Sequence, residues 1–415
     1  MEKNMDVFKI VQSEGMVVFV PEARRVFLTP ANSIIPDNIF GKPKNIGLPK
    51  IPEQKFVNTE ILLNNDCNLK CTYCYANAGT RPLKEQISEK TALLAVDRVA
   101  HNAKEIGMSE FNVIMAGGEP TLSFDLIALI TKHAKEKEKE LGIKLKIGTV
   151  TNGLFSFKVR DFLAENMSFV NISIDGWKEI HDTQRPTIAG KSSFDKIYEN
   201  AKWFNDHCSI NLGIRATISL EKTNRMVEIV SYLHREFPRA VIGLDGVQEC
   251  GRCFTSNETS PNWLIFSEQF IKVMSMSFKE KFAISNGFTR FLNNSDDINY
   301  CGADGRNFIV TPSGHIGSCS RVFAESDSFA DLFLFGRYDK VPESFVFDVS
   351  RYENLKRQIN KKNEKCLSCF AKYNCKGDCA HFKLSSGLKL DDLSPRCEAI
   401  RRITLHQLRL SLGLE

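Results

Sequence analysis

Several things are missing from this 415-residue sequence, and each absence narrows what the protein does. No apolar run is long enough to span a bilayer as a helix. The opening MEKNMDVFKI lacks the apolar core and small-residue cleavage site of a secretory signal. Both point to a cytoplasmic chain without a membrane partner, in a compartment where thiols stay reduced. No Lys/Arg block is dense enough to argue for nucleic acid, and a net charge of +5 with a pI near 8.5 fits an anionic cofactor or an acidic peptide instead. The run KHAKEKEKELGIKLK (132–146) mixes both signs and reads as a solvated helix face. There is no internal repeat and no low-complexity segment. The eight histidines are scattered without metal-ligand spacing, and His315 reads as a turn residue. Cysteine, by contrast, is plentiful, with thirteen residues. Where disulfides are disfavoured, so many thiols point to metal or cluster ligation.

The chain is 42% hydrophobic and long enough for one barrel-type domain plus something smaller. Residues 1–55 read as a separate β-rich segment: VFKIV (7–11) and MVVFV (16–20) flank Ser13-Glu14-Gly15 as a hairpin, RRVFLT (24–29) adds a strand, and a Pro/Gly/Lys-rich linker covers 38–54. From 56 to 280 strands and helices alternate. Strand patterns fall at 59–65, 111–120, 144–153, 169–176, 210–220 and 240–249. Helix patterns lie between them, the first capped by Ser88 with Leu93, Leu94, Val96 and Val99 on one face. About six such units predict an α/β fold, a partial (β/α)6 barrel with chemistry at the strand carboxyl ends. From 281 to 415 strands shorten, glycines multiply, and seven cysteines gather in a small cysteine-rich domain.

Cys67-x3-Cys71-x2-Cys74 follows the first barrel strand directly. Three thiolates on one loop suit three irons of a [4Fe–4S] cube and leave the fourth open. A structural zinc site needs a fourth Cys or His nearby, and the next, His101, falls on a predicted helix. Tyr73 stands immediately before Cys74. Downstream, Gly117-Gly118-Glu119-Pro120, Thr151-Asn152-Gly153 and Ser173-Ile174-Asp175-Gly176 each end a predicted strand, and SIDGWKEIHDTQRP (173–186) brings Arg185.

On these motifs residues 58–275 resemble a radical S-adenosylmethionine (SAM) enzyme, whose signature is C-x3-C-x-φ-C after the first strand of a partial (β/α)6 barrel. The resemblance implies that the open iron chelates SAM and that an electron, from a donor such as flavodoxin or ferredoxin, releases a 5′-deoxyadenosyl radical. It also implies that Gly117, Gly118, Glu119 and Pro120 hold the amino group of SAM, that Thr151, Asn152, Ser173 and Asp175 contact its ribose region, and that Arg185 pairs with its carboxylate. Read without it, the glycines mark a tight turn and Arg185 is a surface residue.

The later cysteines run Cys301, Gly314-x4-Cys319, Cys366-x2-Cys369-x5-Cys375-x3-Cys379 and Cys397. Paired zinc knuckles are one reading of the C-x2-C elements. The full order resembles the SPASM domain, an extension of radical SAM enzymes that modify peptides and proteins. That resemblance implies two auxiliary [4Fe–4S] clusters, three clusters in all. Cys366, Cys369, Cys375 and Cys397 would hold the outer one and Cys301, Cys319 and Cys379 the inner one. The fourth ligand of the inner cluster stays open between Cys250, Cys253, a substrate thiolate and a non-cysteine group. Cys250-Gly251-Arg252-Cys253 lies just past a strand end, so both thiols are also candidate catalytic residues; Cys208 reads as a free thiol.

Two reactions compete. One matures a ribosomally made peptide by forming a thioether or carbon–carbon crosslink. The other is anaerobic sulfatase maturation, the oxidation of Cys or Ser to formylglycine. Sulfatase maturases carry an aspartate base directly after the last hairpin cysteine, where this sequence has Ser320, a far poorer base. They also begin close to the first barrel strand, whereas this chain spends some 55 residues first. Both features tilt the expectation to peptide maturation. The N-terminal hairpin either accepts an extended peptide by strand addition or caps the barrel. A non-catalytic iron–sulfur or zinc scaffold is a third class, but it has no use for the GGEP and SIDG segments.

Overall fold

A computed structural model describes residues 6–21, 23, 25–35, 54–289 and 300–414. The expected linker at 38–54 lies outside the described residues except for Gln54. The first three strands, β1 (Phe8–Gln12), β2 (Gly15–Val20) and β3 (Arg25–Thr29), form an antiparallel sheet in the order β1-β2-β3. Every residue of β2 is buried, because both of its faces are covered. Met16, Val18 and Val20 pack with Ala23 and Ile35, while Val17 and Phe19 pack against Leu408 of the C-terminal helix Cys397–Ser411. Arg409 donates to both Glu14 oxygens at 3.0 Å. The N-terminal sheet therefore docks on the C-terminal helix.

Six parallel strands follow, in sequential order: β4 (Asn58–Leu62), β5 (Glu110–Ala116), β6 (Lys144–Thr151), β7 (Phe169–Ser173), β8 (Asn211–Ile218) and β9 (Val241–Gly246). Their pairing is one-to-one with neighbours in sequence, as right-handed β/α crossovers require. The first covering helix, α1 (Glu89–Glu105), starts where Ser88 Oγ accepts from Thr91 N at 3.1 Å. Its buried face is Ala92, Ala95, Val96, Val99 and Ala103, with Leu93 and Leu94 at the border rather than the centre of the stripe. Other covering helices are α2 (Phe124–Leu141), α3 (Phe157–Asn166), α4 (Lys178–Gln184), α5 (Phe194–His207), α6 (Met226–Glu236), α7 (Cys253–Ser256) and α8 (Trp263–Glu280).

The cysteine-rich region shares the barrel's sheet. After the short β10 (Ile284–Ser285) beside β9, strand β11 (Phe308–Val310) pairs in parallel with β4. Strands β12 (His315–Gly317), β13 (Leu334–Asp339) and β14 (Ser344–Phe347) then continue antiparallel, giving eleven strands in one sheet. The junction is aromatic: Phe56 lies 5.0 Å from Phe308, 6.4 Å from Phe335 and 6.0 Å from Phe347 between ring centroids. This seam places the Cys319 hairpin beside the loop that leaves β4.

Candidate active site

The loop after β4 carries Cys67, Cys71 and Cys74, and its shape is fixed by backbone clamps rather than by its own secondary structure. Gly118 N donates to Asn64 O at 2.8 Å and Glu119 N to Asp66 O at 2.7 Å. A side chain at Gly118 would collide with Asp66 O, and a Cβ at Gly117, whose φ is +146°, would lie 2.6 Å from Asn64 O. The paired glycines are thus needed for close approach to the backbone of the cysteine loop. Glu119 is fully buried and both of its oxygens are engaged inside the protein. One accepts from Thr121 N at 3.1 Å and from Thr121 Oγ1 and Thr151 Oγ1, each at 2.6 Å, and the other from Asn152 N at 2.7 Å. Asn152 in turn donates to Asn68 Oδ1 at 2.7 Å and reaches Cys67 Sγ at 3.6 Å. The ends of β5 and β6 and the cysteine loop are knotted through one carboxyl group. Burial pushes that carboxyl above its ordinary range, while the four hydrogen bonds pull it back.

A second buried carboxylate orders the opposite side. Asp175 accepts from Tyr73 Oη at 2.5 Å, Arg185 Nε at 2.9 Å, Gln184 Nε2 at 3.3 Å and Thr217 N at 2.9 Å. Burial opposes the Arg185 charge, but Asp175, Tyr73 and Cys71 outweigh it and raise its pKa. One edge of the Arg185 fork is therefore occupied by Asp175, and Nη1 points to Cys71 Sγ at 3.8 Å. Gln184 Oε1 is buried beside them with no hydrogen-bond partner. Ser173, half-buried, ends β7 on the same rim.

The segment after β9 closes the loop from a third direction. Arg252, 6% exposed, donates to Cys71 O and Ala78 O at 2.8 Å and to Thr80 Oγ1 at 2.9 Å, and its backbone N–H reaches Cys74 O at 3.0 Å. A Cβ on Gly251 would come within 2.5 Å of Cys74 O and Tyr75 O. Cys250 and Cys253 are both buried, with Sγ atoms 3.3 and 3.6 Å from Gln248 O. Burial raises both thiols, Cys253 to about 11.

All thirteen thiols are free of disulfides. Burial pushes Cys67 up, with Glu119, Cys71 and Cys74 adding to it, and pushes Cys71 up to about 11 against the pull of Arg185. Such thiols hold their protons until a metal displaces them. Cys366, Cys369, Cys375 and Cys397 ring one cavity of about 150 Å³, together with Lys365, Lys372 and Arg401. Cys301, Cys319 and Cys379 form another group, in which burial raises Cys319 and the charges of Cys379 and Cys301 add to the rise. A donor set of three, three and four thiols, with a cavity inside the last, fits cubane clusters. Among the described residues no three His, Cys, Asp or Glu side chains converge closely enough for a single metal ion.

Sequence reasoning missed the pair that ties the last two groups together. Asp378 and Arg396, 1% and 2% exposed, form a bidentate ion pair at 2.9 and 2.5 Å, and each immediately precedes a cysteine, Cys379 and Cys397. Asp378 also accepts from Ser394 Oγ at 2.5 Å and Cys379 N at 2.7 Å, and the Arg396 guanidinium lies 3.9 Å from the Phe382 ring centroid. Adjacency to the two cysteines was the available signal. Glu60 on β4 was missed as well: burial raises its carboxyl to about 7, and nothing in its immediate sequence marks it.

The chain has a partial-barrel α/β fold whose candidate site lies at the carboxyl ends of its strands. Residues 61–233 match the family model of the radical SAM superfamily. A cysteine-type anaerobic sulfatase-maturating enzyme of Clostridium perfringens is 21% identical over 352 residues, 81% of this chain and 92% of the relative. Native anSMEcpe with bound AdoMet superposes with a TM-score of 0.69 at 20% identity, covering 85% of this chain and 98% of its own. Streptococcus suis SuiB bound to S-adenosylmethionine gives 0.59 at 16% identity, covering 95% of this chain and 99% of its own. Residues 61–233 thus form a radical SAM domain, and the relatives in sequence and fold support a radical SAM, maturase-like enzyme. A domain of this kind implies a [4Fe–4S] cluster and SAM. No described helix is long and apolar enough to cross a membrane.

Proposed function

We propose that this enzyme matures a ribosomally made peptide, closing a thioether or carbon–carbon crosslink after hydrogen is removed from the peptide. The observation that carries the choice is Ser320, half-buried directly after Cys319, where the resemblance to sulfatase maturases calls for an aspartate base. SuiB, which has also been solved with its precursor peptide SuiA, covers 94% of this chain in that complex, so its likeness extends beyond the barrel. Sulfatase maturation to formylglycine is the second reading, favoured by the C. perfringens relative's coverage.

In this proposal Cys67, Cys71 and Cys74 hold the SAM-binding cluster. Cys366, Cys369, Cys375 and Cys397 hold an outer auxiliary cluster, and Cys301, Cys319 and Cys379 an inner one. Bound together, cluster and SAM supply a carbon-centred radical once a flavodoxin or ferredoxin delivers an electron. The chain orients and encloses them. Asp175 holds Arg185 with one guanidinium edge left to face the carboxylate of SAM, and Glu119 holds Thr151 and Asn152 in place. The Gly117–Gly118 turn fixes the cysteine loop. The proposed division is a β-rich segment at 1–55, the barrel at 56–280 and a SPASM domain at 281–415.

Anaerobically reconstituted protein should carry about twelve irons, four for each of three cubanes. Zinc without visible absorbance would sink the reading. Dithionite and SAM should yield 5′-deoxyadenosine, and Cys71→Ala should stop it. A short Cys-rich open reading frame beside the gene would supply the peptide to assay. A neighbouring sulfatase gene, with formylglycine formed on its Cys peptide, would reverse the choice between the two reactions.

A further inference from the structure

Arg321 stands two residues beyond Cys319, and no carboxylate among the described residues pairs with it. Its recorded contacts are a hydrogen bond from Nη1 to Cys250 Sγ at 3.3 Å and the Tyr75 ring, whose centroid lies 4.7 Å from the guanidinium carbon. This guanidinium is half-buried and partly desolvated, and anionic surroundings would offset that cost. The groups whose fields support its charge are Cys250, Cys379, Tyr75 and Cys319, three of them thiols. Neutral thiols are weak partners for such a cation, whereas thiolates bound to iron carry the negative charge it lacks.

The two cysteines after β9 differ in this respect. Cys250 faces Arg321 and lies within the fields of Cys379 and Cys74. Cys253, on the first turn of α7, feels Cys250, Glu258 and Glu249 instead. Arg252 pins the intervening backbone, its N–H to Cys74 O and its Nη1 to Cys71 O, and Gly251 packs against Cys74 O, so Cys250 cannot swing freely between the two sides.

We propose that Cys250 is the fourth thiolate of the inner auxiliary cluster, beside Cys301, Cys319 and Cys379, and that Arg321 is the counter-charge of that site. The proposal rests on the two-auxiliary-cluster reading above. On ligation the Cys250 S–H bond breaks, its proton goes to solvent and an iron–sulfur bond forms. The consequence is functional. An inner cluster with four protein thiolates has no open iron for a substrate thiol, which leaves it the role of electron acceptor. It also joins the barrel covalently to the cysteine-rich region, two residues before the Arg252 that clamps the Cys71–Cys74 loop.

The test uses the full-length chain with Cys67, Cys71 and Cys74 replaced by Ala, reconstituted with iron and sulfide. This parent should hold about eight irons and show two auxiliary signals by electron paramagnetic resonance after reduction. Adding Cys250→Ser should remove about four irons or alter one of the two signals, as Cys379→Ser does, while Cys253→Ser should match the parent. An unchanged Cys250→Ser protein, or a changed Cys253→Ser protein alone, overturns the assignment. Should Cys250→Ser fail to fold, Arg321→Met decides. Removing the cation should move one auxiliary potential, and only one, to a more negative value, and no movement overturns the proposal. A parent with fewer than eight irons and no auxiliary signal defeats the two-cluster reading itself, a separate outcome.

Discussion

Replacing Asp175 with Asn removes one charge and leaves the shape of the side chain nearly intact. The carboxylate is fully buried and accepts from Tyr73, Arg185, Gln184 and Thr217 N–H. An amide has a single acceptor oxygen, so its NH2 must face either Thr217 N–H or the Tyr73–Arg185 side, donor against donor. Arg185, with a side chain 9% exposed, is left as a buried charge without its partner. Breaking a buried pair in this way costs about 3–5 kcal/mol. At roughly 2–4 °C per kcal/mol for a barrel-sized domain, the thermal midpoint should fall by about 10 °C. Calorimetry on the anaerobically reconstituted enzyme, with and without SAM, measures it. SAM should restore less of the loss than it adds to the parent, because Tyr73 and Arg185 are both released from the site proposed for it. The double variant Asp175→Asn/Arg185→Met removes the stranded charge and should be milder than the single. A midpoint within about 1 °C of the parent, or a double variant less stable than Asp175→Asn, would refute the reasoning.

Three further outcomes follow from the same geometry. Glu60 has its carboxyl raised to about 7 against an ordinary 4.5, so the folded state binds the extra proton. Stability from this group is therefore full below about pH 4.5 and is lost as pH rises towards 7. Glu60→Gln should flatten that decline and stabilise the chain at pH 8 by on the order of 2–3 kcal/mol in urea titrations; an unchanged slope between pH 5 and 7 would count against it. Arg252→Ala strips three charge-assisted hydrogen bonds from the cysteine loop and leaves Cys71 O and Ala78 O unmatched. At about 1–3 kcal/mol for each stranded group, amide exchange at Ala78 and Thr80 should speed up at least tenfold while amides in α5 stay as they are. Asp378→Asn should lower the iron bound by both proposed auxiliary sites together, since the Asp378–Arg396 pair abuts Cys379 and Cys397; loss from neither would contradict that coupling.

The barrel was legible because its signal is periodic and local. LLAV in α1 and the apolar runs of β5 to β9 declare their elements without reference to anything distant. The Cys67–Cys74 and Cys366–Cys379 spacings stood out for a similar reason, because each set recurs at short intervals within one segment. What sequence could not display is partnership. β2 buries all six of its residues because the helix Cys397–Ser411 covers its second face nearly four hundred residues later, and alternation alone would have made that face solvent-exposed. The helices Val349–Ile359 and Cys397–Ser411 went unread because cysteines and glycines dominate the texture around them, although each carries a periodic apolar stripe. Glu119 and Asp175 were read as ligand contacts from their motifs, yet their oxygens are engaged by the protein itself. That distinction matters chemically. Whatever else it meets, Glu119 must satisfy two strand ends and the cysteine loop at once. Arg321 completes the contrast: a lone arginine after Cys319 reads as surface charge, and only the fold shows that its partners are a thiol from beyond β9 and an aromatic ring from the SAM-cluster loop.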